Sequence, residues 1–295
     1  MSAQKSELLK LTKAGDLQAL ARLLTVLERE GPASLRHFPD LLAPSRMAFR
    51  IGITGPPGAG KSTLIGKLIG EFRKLGKKVG VIAVDPSSPF TKGAVLGDRI
   101  RYSEHFGDPD VFIRSLGTRG SLGGLSASAY LMVRAFDLAG FDIVLLETVG
   151  VGQSELEIMN VADWVAVVLV PESGDGIQGM KAGLLEIADL FVVNKGDRPG
   201  ADQFLRELDA ALKLDPRAPS EPVEIIKVTG LTGEGLDQIV SRAEAEMKKP
   251  DWKERRVSPD RLQAEAQALL RHQVEREIEA RTRVIEKPED FLKVF

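Results

Sequence analysis

Short apolar runs alternate with longer amphipathic segments along most of this chain. Between residues 47 and 248 the apolar runs are 51–54, 79–84, 143–146, 164–170, 190–193 and 223–228. Most of them are separated by amphipathic segments of helix length, and strands that alternate with helices favour a mostly parallel sheet. The pattern therefore predicts an α/β fold in which helices cover both faces of the sheet.

The N-terminal segment, residues 1–46, has a helical pattern and no strand signal. Asp16 can cap a helix there, and Gly31 can end it. The apolar face of this helix consists of leucines, namely Leu17, Leu20, Leu23, Leu24 and Leu27. We predict a helical extension that is added to the α/β core at 47–248.

The C-terminal segment, residues 249–295, is predicted as a second helical extension. It opens with a charged stretch at 252–259, which we interpret as a linker in which Trp252 can act as an anchor. Residues 260–283 then carry apolar side chains at helical spacing: Leu262, Ala266, Leu269, Leu270, Val274 and Ile278. Such a stretch usually packs on its own domain, although it can also serve as a dimerisation arm.

Composition narrows the class of protein. The 295 residues include 40 basic and 42 acidic side chains, and this balance gives no sign of binding to nucleic acid or to an acidic membrane. The absence of cysteine excludes disulfides, thiolate metal sites and cysteine nucleophiles, and three separated histidines disfavour a histidine metal cluster. The longest apolar run, 164–170, is too short to span a bilayer. No signal sequence opens the chain, so we expect a cytoplasmic protein.

The residues that follow the first apolar run match the phosphate-binding loop pattern G-x-x-x-x-G-K-[ST]. They are Gly55, Pro56, Pro57, Gly58, Ala59, Gly60, Lys61 and Ser62, with Thr63 next. Glycines allow backbone N–H groups to converge on a polyphosphate without Cβ clashes. Lys61 then reaches the β and γ phosphate oxygens, and the Ser62 hydroxyl is a Mg²⁺ ligand. A strand before the loop and a helix after it provide the setting that this motif requires.

A guanine-binding motif of the form N-K-x-D follows the apolar run 190–193. Its residues are Asn194, Lys195 and Asp197, and they should lie at the carboxyl end of a strand, where nucleotides bind in such sheets. The Asp197 carboxylate can accept hydrogen bonds from the N1–H and the N2 amino group of guanine, which adenine does not offer there. The segment Thr229, Gly230 and Leu231 can donate a backbone N–H to guanine O6, or it is a plain turn.

Acidic residues stand at two other strand ends. Glu147 occupies the position of the usual aspartate of a magnesium-binding strand, and the Gly150 N–H can contact a γ-phosphate. Asp85 ends the apolar run at 79–84, and Asp98 follows a glycine-containing loop. Each of these two aspartates can instead cap a helix or form a turn.

Taken together, these motifs resemble one family of GTPases. The matching runs are G-P-P-G-A-G-K-S-T, V-D-P-S-S, G-D-R, S-L-G-G-L, E-T-V-G-V-G-Q-S-E and N-K-G-D. They are similar to the MeaB/ArgK family, called MMAA in animals. The resemblance implies a slow, Mg²⁺-dependent GTPase that acts as a chaperone for an adenosylcobalamin-dependent acyl-CoA mutase such as methylmalonyl-CoA mutase. It also implies that cofactor delivery from a cobalamin adenosyltransferase is gated, that the mutase is protected or reactivated, and that cobalamin is held only by the partner.

The resemblance assigns roles to individual residues. It makes Ser62 a metal ligand and places Asp85, Asp98 and Glu147 around the magnesium ion and its waters. Asp98 would belong to a first switch loop, 150–155 to a second and 175–181 to a third. The resemblance further suggests that 260–283 forms the arm of a homodimer.

Four residues are predicted to be catalytic: Lys61, Glu147, Gln178 and Lys181. We hypothesise that Lys181 supplies transition-state charge only in the complex with the partner, although the same residue fits an ordinary solvated lysine. Arg114 and Arg119 are interpreted either as partner contacts or as surface charge. Gln153 lies near the second switch, but no spacing argument makes it the residue that activates water.

Two other classes of function compete with this interpretation. A nickel or cobalt metallochaperone GTPase shares the architecture, but it needs thiolate or imidazole ligands that this chain does not cluster. A small-molecule or protein kinase, the interpretation behind the older ArgK name, gives no reason for the N-K-x-D motif. A guanine preference in nucleotide binding would separate the GTPase from the kinase.

Overall fold

Seven strands form one sheet in the computed structural model, which describes residues 3–85, 102–117, 127–148, 150, 154–171, 182–214 and 222–282. The strands are β1 (Phe49–Thr54), β2 (Val79–Asp85), β3 (Val111–Gly117), β4 (Ile143–Glu147), β5 (Trp164–Leu169), β6 (Leu190–Val193) and β7 (Glu224–Lys227). Their order is β3-β2-β4-β1-β5-β6-β7, and every neighbouring pair is parallel. The predicted parallel sheet is confirmed, with β1 at its centre.

Helices cover both faces of the sheet. The described α-helices are α1 (Ala3–Lys13), α2 (Leu17–Glu30), α3 (Lys61–Lys74), α4 (Ala127–Leu138), α5 (Ser154–Val161), α6 (Ala182–Ile187), α7 (Ala201–Leu214), α8 (Leu236–Lys248), α9 (Asp251–Arg256) and α10 (Pro259–Thr282). Side chains of α3 and α8 share one hydrophobic cluster with the strands, whereas those of α2 and α4 to α7 share the cluster on the opposite face. The fold is therefore a three-layer α/β sandwich, as predicted.

Successive side chains of each strand point to opposite faces of the sheet, so apolar strands require helices on both faces. In β5, Trp164, Ala166 and Val168 point to the cluster that contains α3, and the residues between them point to the other cluster. All six residues of β5 are buried. A strand buried on both faces appears in the sequence as a continuous apolar run, which is why these strands were predictable.

The N-terminal helices form the predicted additional layer. The Asp16 carboxylate accepts a hydrogen bond of 2.8 Å from the backbone N–H of Ala19 and caps α2, and Gly31 ends this helix. The predicted leucine face of α2 is buried, apart from the partly buried Leu17, and belongs to the same cluster as α4. The layer thus packs on α4 and extends the hydrophobic cluster on that face of the sheet.

The predicted charged linker at 252–259 is wrong, because residues 251–256 form the helix α9. Trp252 is buried and packs edge-to-face on Phe49 of β1, with 5.3 Å between the ring centroids. This contact anchors the C-terminal segment to the centre of the sheet. Trp252 and Arg256, one helical turn apart, are buried in α9, whereas residues 253–255 between them are exposed.

The predicted helix at 260–283 is confirmed as α10, although it contains no fully buried residue. Its first turns lie on α4, where Arg134 makes two hydrogen bonds of 2.7 Å to the Glu265 carboxylate. Farther along, Leu270, Val274 and Ile278 are more than half exposed. Within the described part of the chain, no helix is long and apolar enough to cross a membrane.

One strand, β3, is missing from the apolar runs that the sequence suggested. It lies at the edge of the sheet and pairs only with β2 among the strands. Its middle residues, 112–115, are only partly buried, and they include the charged Arg114. Because β3 is half solvated, it lacks the continuous apolar run that identifies the central strands.

Candidate functional site

The candidate site lies where the carboxyl ends of the central strands meet. The loop Gly55–Gly60 leaves β1 at the centre of the sheet and leads directly into α3 at Lys61. Glu147 ends the neighbouring strand β4, and Asn194 follows β6. Because all strands are parallel, the predicted phosphate, metal and base motifs lie along a single edge.

Two glycines of the loop are required by close contacts. Gly55 has a φ of 133°, and a Cβ added to it would lie 2.0 Å from the carbonyl oxygen of Val168. Gly60 has a φ of 85°, and its added Cβ would lie 2.4 Å from Asn194 Nδ2. The loop can therefore approach β5 and the base motif only without side chains at these two positions.

Lys61 is buried at the start of α3, and its ammonium group points back into the loop. Lys61 Nζ donates to the carbonyl oxygens of Gly55 at 2.8 Å and of Pro56 at 3.0 Å. Pro57 and Gly58 form the exposed crest of the loop, whereas Ala59 is buried below it. The side chain of Thr63 is exposed on the first turn of α3. This arrangement places a fixed positive charge beneath a ring of backbone groups, as a polyphosphate site requires.

Ser62 and Glu147 meet at the side of this loop. Ser62 Oγ donates to Glu147 Oε1 at 2.5 Å, and both side chains are at least nine-tenths buried. A second hydroxyl, that of Tyr102, donates to Glu147 Oε2, also at 2.5 Å. The structure thus brings together the serine and the glutamate that the sequence assigned to magnesium, and it adds a tyrosine that the sequence did not indicate.

Gly150 lies against the phosphate-binding loop. It has a φ of 87°, and a Cβ added to it would lie 2.5 Å from the Gly55 oxygen and 2.7 Å from Lys61 Nζ. Thr148 Oγ1 donates to Thr54 Oγ1 at 2.9 Å and ties the end of β4 to the end of β1. The Gly150 backbone is therefore held beside the lysine ammonium, as the predicted contact with a γ-phosphate requires.

Asn194 joins the base motif to the phosphate-binding loop. Its Nδ2 donates to the Ala59 carbonyl oxygen at 2.8 Å. Its Oδ1 accepts from the backbone N–H of Lys195 at 2.8 Å and from that of Gly230 at 3.0 Å. One buried side chain therefore connects three segments that are far apart in the sequence.

The predicted base-binding residues surround this asparagine. Lys195 has a φ of 57°, and the Asp197 side chain beyond it is exposed, as a carboxylate that receives a ligand must be. The N–H groups of Thr229 and Gly230 already donate to Glu234 and to Asn194. Of the predicted segment, only Leu231 has an N–H that neither of these contacts engages. The segment forms a turn, and Leu231 stays a predicted donor to guanine O6.

Several predicted residues lie outside the part of the chain that the structure describes. These are Asp98, Arg119, Gln153, Gln178 and Lys181. Asp85 ends β2, but its side chain is not described. Among the described residues, no group of three or more histidine, cysteine or acidic side chains could hold a metal ion.

Arg114 has a structural partner within the chain. It lies in β3, and its guanidinium donates to the Glu28 carboxylate of α2 at 2.5 Å. Both side chains are mostly buried, with 18% and 14% of their surface exposed. The sequence analysis interpreted Arg114 as surface charge or as a contact with a partner protein. In the structure it instead forms an ion pair that connects β3 to the N-terminal layer.

Comparison with known proteins identifies the family. The model of the family described as methylmalonyl Co-A mutase-associated GTPase MeaB matches residues 20–287. A putative GTPase of Pyrococcus horikoshii is 49% identical over 236 residues, which cover 79% of this chain and 74% of that protein. A Caenorhabditis elegans protein named methylmalonic aciduria type A homolog, mitochondrial, is 35% identical over 80% of this chain and 64% of its own length.

One solved structure agrees with this result. The crystal structure of a LAO/AO transport system kinase superposes with a TM-score of 0.70 at 26% sequence identity. The match covers 98% of this chain and 88% of that protein. The similarity thus extends over the α/β core and over the helical segments at both ends.

Proposed function

We propose that this chain, which belongs to the MeaB family of P-loop GTPases, couples GTP hydrolysis to the maintenance of an adenosylcobalamin-dependent acyl-CoA mutase. The main support for a GTPase activity is the position of Asn194. Its side chain forms hydrogen bonds both with the phosphate-binding loop and with the segment at Gly230 beside the guanine motif. The family description, which names methylmalonyl Co-A mutase, supports the choice of client. In this role the protein gates cofactor loading from an adenosyltransferase and protects or reactivates the mutase, while the mutase alone holds the cobalamin.

The residues at the loop fit a magnesium ion. Mg²⁺ prefers oxygen ligands, and the Ser62 hydroxyl and Glu147 carboxylate are two such groups in direct contact. Ser62 would hold the ion directly, with Glu147 beside it and the predicted Asp85 and Asp98 completing its surroundings. When bound, the ion neutralises charge that develops on the phosphates.

One set of residues binds the phosphates of GTP, and another set binds its base. The loop backbone and Lys61 bind the phosphates, and the Gly150 backbone lies beside the lysine ammonium. Asp197 selects guanine because adenine would leave its carboxylate without donors, which costs about 1–3 kcal/mol for each lost bond. When the client is bound, Gln178 and Lys181 of the proposed third switch move toward the nucleotide, and Lys181 supplies positive charge to the transition state. This explains a slow reaction without the client.

The proposed assembly is a homodimer formed through α10. Leu262, Leu270, Val274 and Ile278 are 43–63% exposed along this helix, although they are apolar. A row of exposed apolar side chains on one long helix is typical of an interaction surface. The first turns of α10 are held on the protein by Arg134 and Glu265, so the arm has a firm base.

The first experiment measures GTP turnover at fixed Mg²⁺, with and without a purified adenosylcobalamin-dependent acyl-CoA mutase, and with ATP in parallel. We expect the mutase to raise GTP turnover by about tenfold or more, a factor that corresponds to about 1.4 kcal/mol of transition-state stabilisation. ATP should not be hydrolysed, and Asp197→Asn should weaken GTP binding by at least about tenfold because it alters two hydrogen bonds to guanine.

The outcomes separate the two parts of the proposal. GTP binding and hydrolysis that the mutase leaves unchanged would reject this client while retaining the GTPase. Hydrolysis of ATP at the rate of GTP would instead support the kinase class and would contradict the role given to Asp197.

A further inference from the structure

Tyr102 connects the end of the first switch region to the metal-binding carboxylate. It is the first described residue after 86–101, the region that contains Asp98. Its side chain is 1% exposed, and its hydroxyl lies 2.5 Å from Glu147 Oε2. The other carboxylate oxygen, Oε1, accepts from Ser62 at the same distance. Glu147 is therefore held by one hydroxyl on each oxygen.

These two hydroxyls have different chemical surroundings. Ser62 stands at the start of α3, directly after the phosphate-binding lysine, where its hydroxyl would hold the metal. The Tyr102 ring belongs to the hydrophobic cluster below α3, and its hydroxyl approaches Glu147 from that buried side. Bonds of 2.5 Å between a hydroxyl and a carboxylate are in the range of charge-assisted hydrogen bonds.

We propose that Tyr102 is a positioning residue for magnesium, which fixes the Glu147 carboxylate so that Oε1 stays beside Ser62. Carboxylates that face a metal are commonly oriented by a hydrogen bond to their other oxygen, and loss of that bond costs about 10- to 100-fold in metal affinity. The inference rests on the proposed Mg²⁺-dependent GTPase. It adds a residue that none of the sequence motifs contains.

A purely structural role for the hydroxyl is the alternative. A buried tyrosine hydroxyl needs a hydrogen-bond partner, and Glu147 would satisfy that need even if the metal gained nothing. The two roles differ in what their loss affects. A positioning role affects Mg²⁺ binding alone, whereas a structural role affects the folded site whether or not the metal is present.

The chain offers a matched control, because it has only two tyrosines. Tyr130 lies in α4, is 5% exposed and belongs to the hydrophobic cluster on the opposite face of the sheet from Tyr102. Burial, together with the charges of Glu157 and Glu265, raises the pKa of Tyr130 to about 12. Tyr102→Phe and Tyr130→Phe therefore remove the same oxygen atom from two buried rings, only one of which lies beside the site.

The experiment measures binding of a fluorescent GDP analogue to the full chain at increasing Mg²⁺, and again in excess EDTA. We expect Tyr102→Phe to raise the Mg²⁺ concentration for half-maximal stabilisation of the complex by about tenfold. Its affinity for GDP in EDTA should equal that of the parent chain, and Tyr130→Phe should match the parent in both measurements. Melting temperatures of both variants with and without Mg²⁺ and GDP give a second measure of the metal-dependent part.

Three results would overturn the assignment. An unchanged Mg²⁺ dependence in Tyr102→Phe would show that the hydroxyl does not position the carboxylate. An equal loss of GDP affinity with and without Mg²⁺ would show a structural role. A parent chain whose GDP binding does not depend on Mg²⁺ would reject the proposed metal itself, and this result is distinguishable because Tyr130→Phe and the parent would show it as well.

Discussion

Glycine residues with the same backbone conformation have different tolerance to substitution in this protein. Gly60 and Gly76 both have positive φ values, 85° and 71°. A Cβ at Gly60 would meet the Asn194 amide at 2.4 Å, whereas a Cβ at Gly76 has nothing within 4 Å. The first glycine is required by a contact and the second only by its φ angle.

We therefore expect Gly60→Ala to abolish GTP binding, because the alanine must push Asn194 away from the loop. Gly76→Ala controls for the left-handed backbone and should lower the free energy of unfolding by about 1–2 kcal/mol without affecting GTP binding. Nucleotide titration and urea unfolding of both variants test this. Parent-like GTP affinity in Gly60→Ala would contradict the role of the contact.

At the scale of residues, the sequence predicts what a fixed spacing encodes. The phosphate-binding loop, Glu147 and Asn194 belong to runs whose chemistry needs that order of residue types. Tyr102 and the Thr54 to Thr148 hydrogen bond escaped prediction, because their partners are 45 and 94 residues away. The packing of β1 beside β4 creates the second contact, and the first joins β4 to the segment before β3.

The central strands were predictable as elements because both of their faces are buried. The central strands β1, β4, β5 and β6 are buried at every position. The edge strand β3 and the short helix α9 mix charged and apolar residues, since each has one exposed side. The sequence pattern therefore missed these two elements, although it predicted the partly exposed edge strand β7 and the exposed helix α10.

The helix α9 carries a buried ion cluster that no motif indicated. Arg256 Nε donates to Asp163 Oδ1 at 2.9 Å, and a second nitrogen contacts both Asp163 Oδ2 and the carbonyl oxygen of Ala48. Nearby, Arg50 pairs with Asp137 at 2.6 Å, and burial lowers the pKa of Arg50, although Asp137 opposes this shift. The cluster joins α9 to the amino ends of β1 and β5.

Arg256→Ala should lower the free energy of unfolding by about 3 kcal/mol, because it leaves the buried Asp163 charge without its main partner. The neighbouring Arg255 is half exposed and lies 3.6 Å from Asp251, so Arg255→Ala should change stability by less than about 1 kcal/mol. Urea unfolding of the two variants makes the comparison. Equal stability of both variants would mean that the cluster contributes nothing measurable.

The whole molecule combines a closed core with one exposed arm. Both hydrophobic clusters are continuous across the sheet, and the N-terminal layer adds to one of them. By contrast, α10 has 24 residues of which none is buried. Four exposed apolar side chains follow one another along this helix, and the proposed homodimer places a second copy on them.

If α10 forms the proposed homodimer, Leu270→Glu should give a monomer, because a symmetric interface would bring the new charge close to its copy. Leu214→Glu provides the control, since Leu214 is 82% exposed at the end of α7 and away from the arm. Light scattering should find a dimer for the parent and for Leu214→Glu, with GTP turnover retained by all three proteins. A parent that is monomeric, or a Leu270→Glu variant that stays dimeric, would rule out this interface.

The three hydrogen bonds of Asn194 have a consequence for the thermodynamics of nucleotide recognition. They fix the separation between the loop that receives the phosphates and the strand end that receives the base before a nucleotide arrives. The conformational entropy of bringing these segments together is lost when the chain folds and not when it binds. More of the interaction energy with GTP is then retained as affinity. The fixed distance between the two segments also prevents the site from rearranging around a nucleotide with a different base.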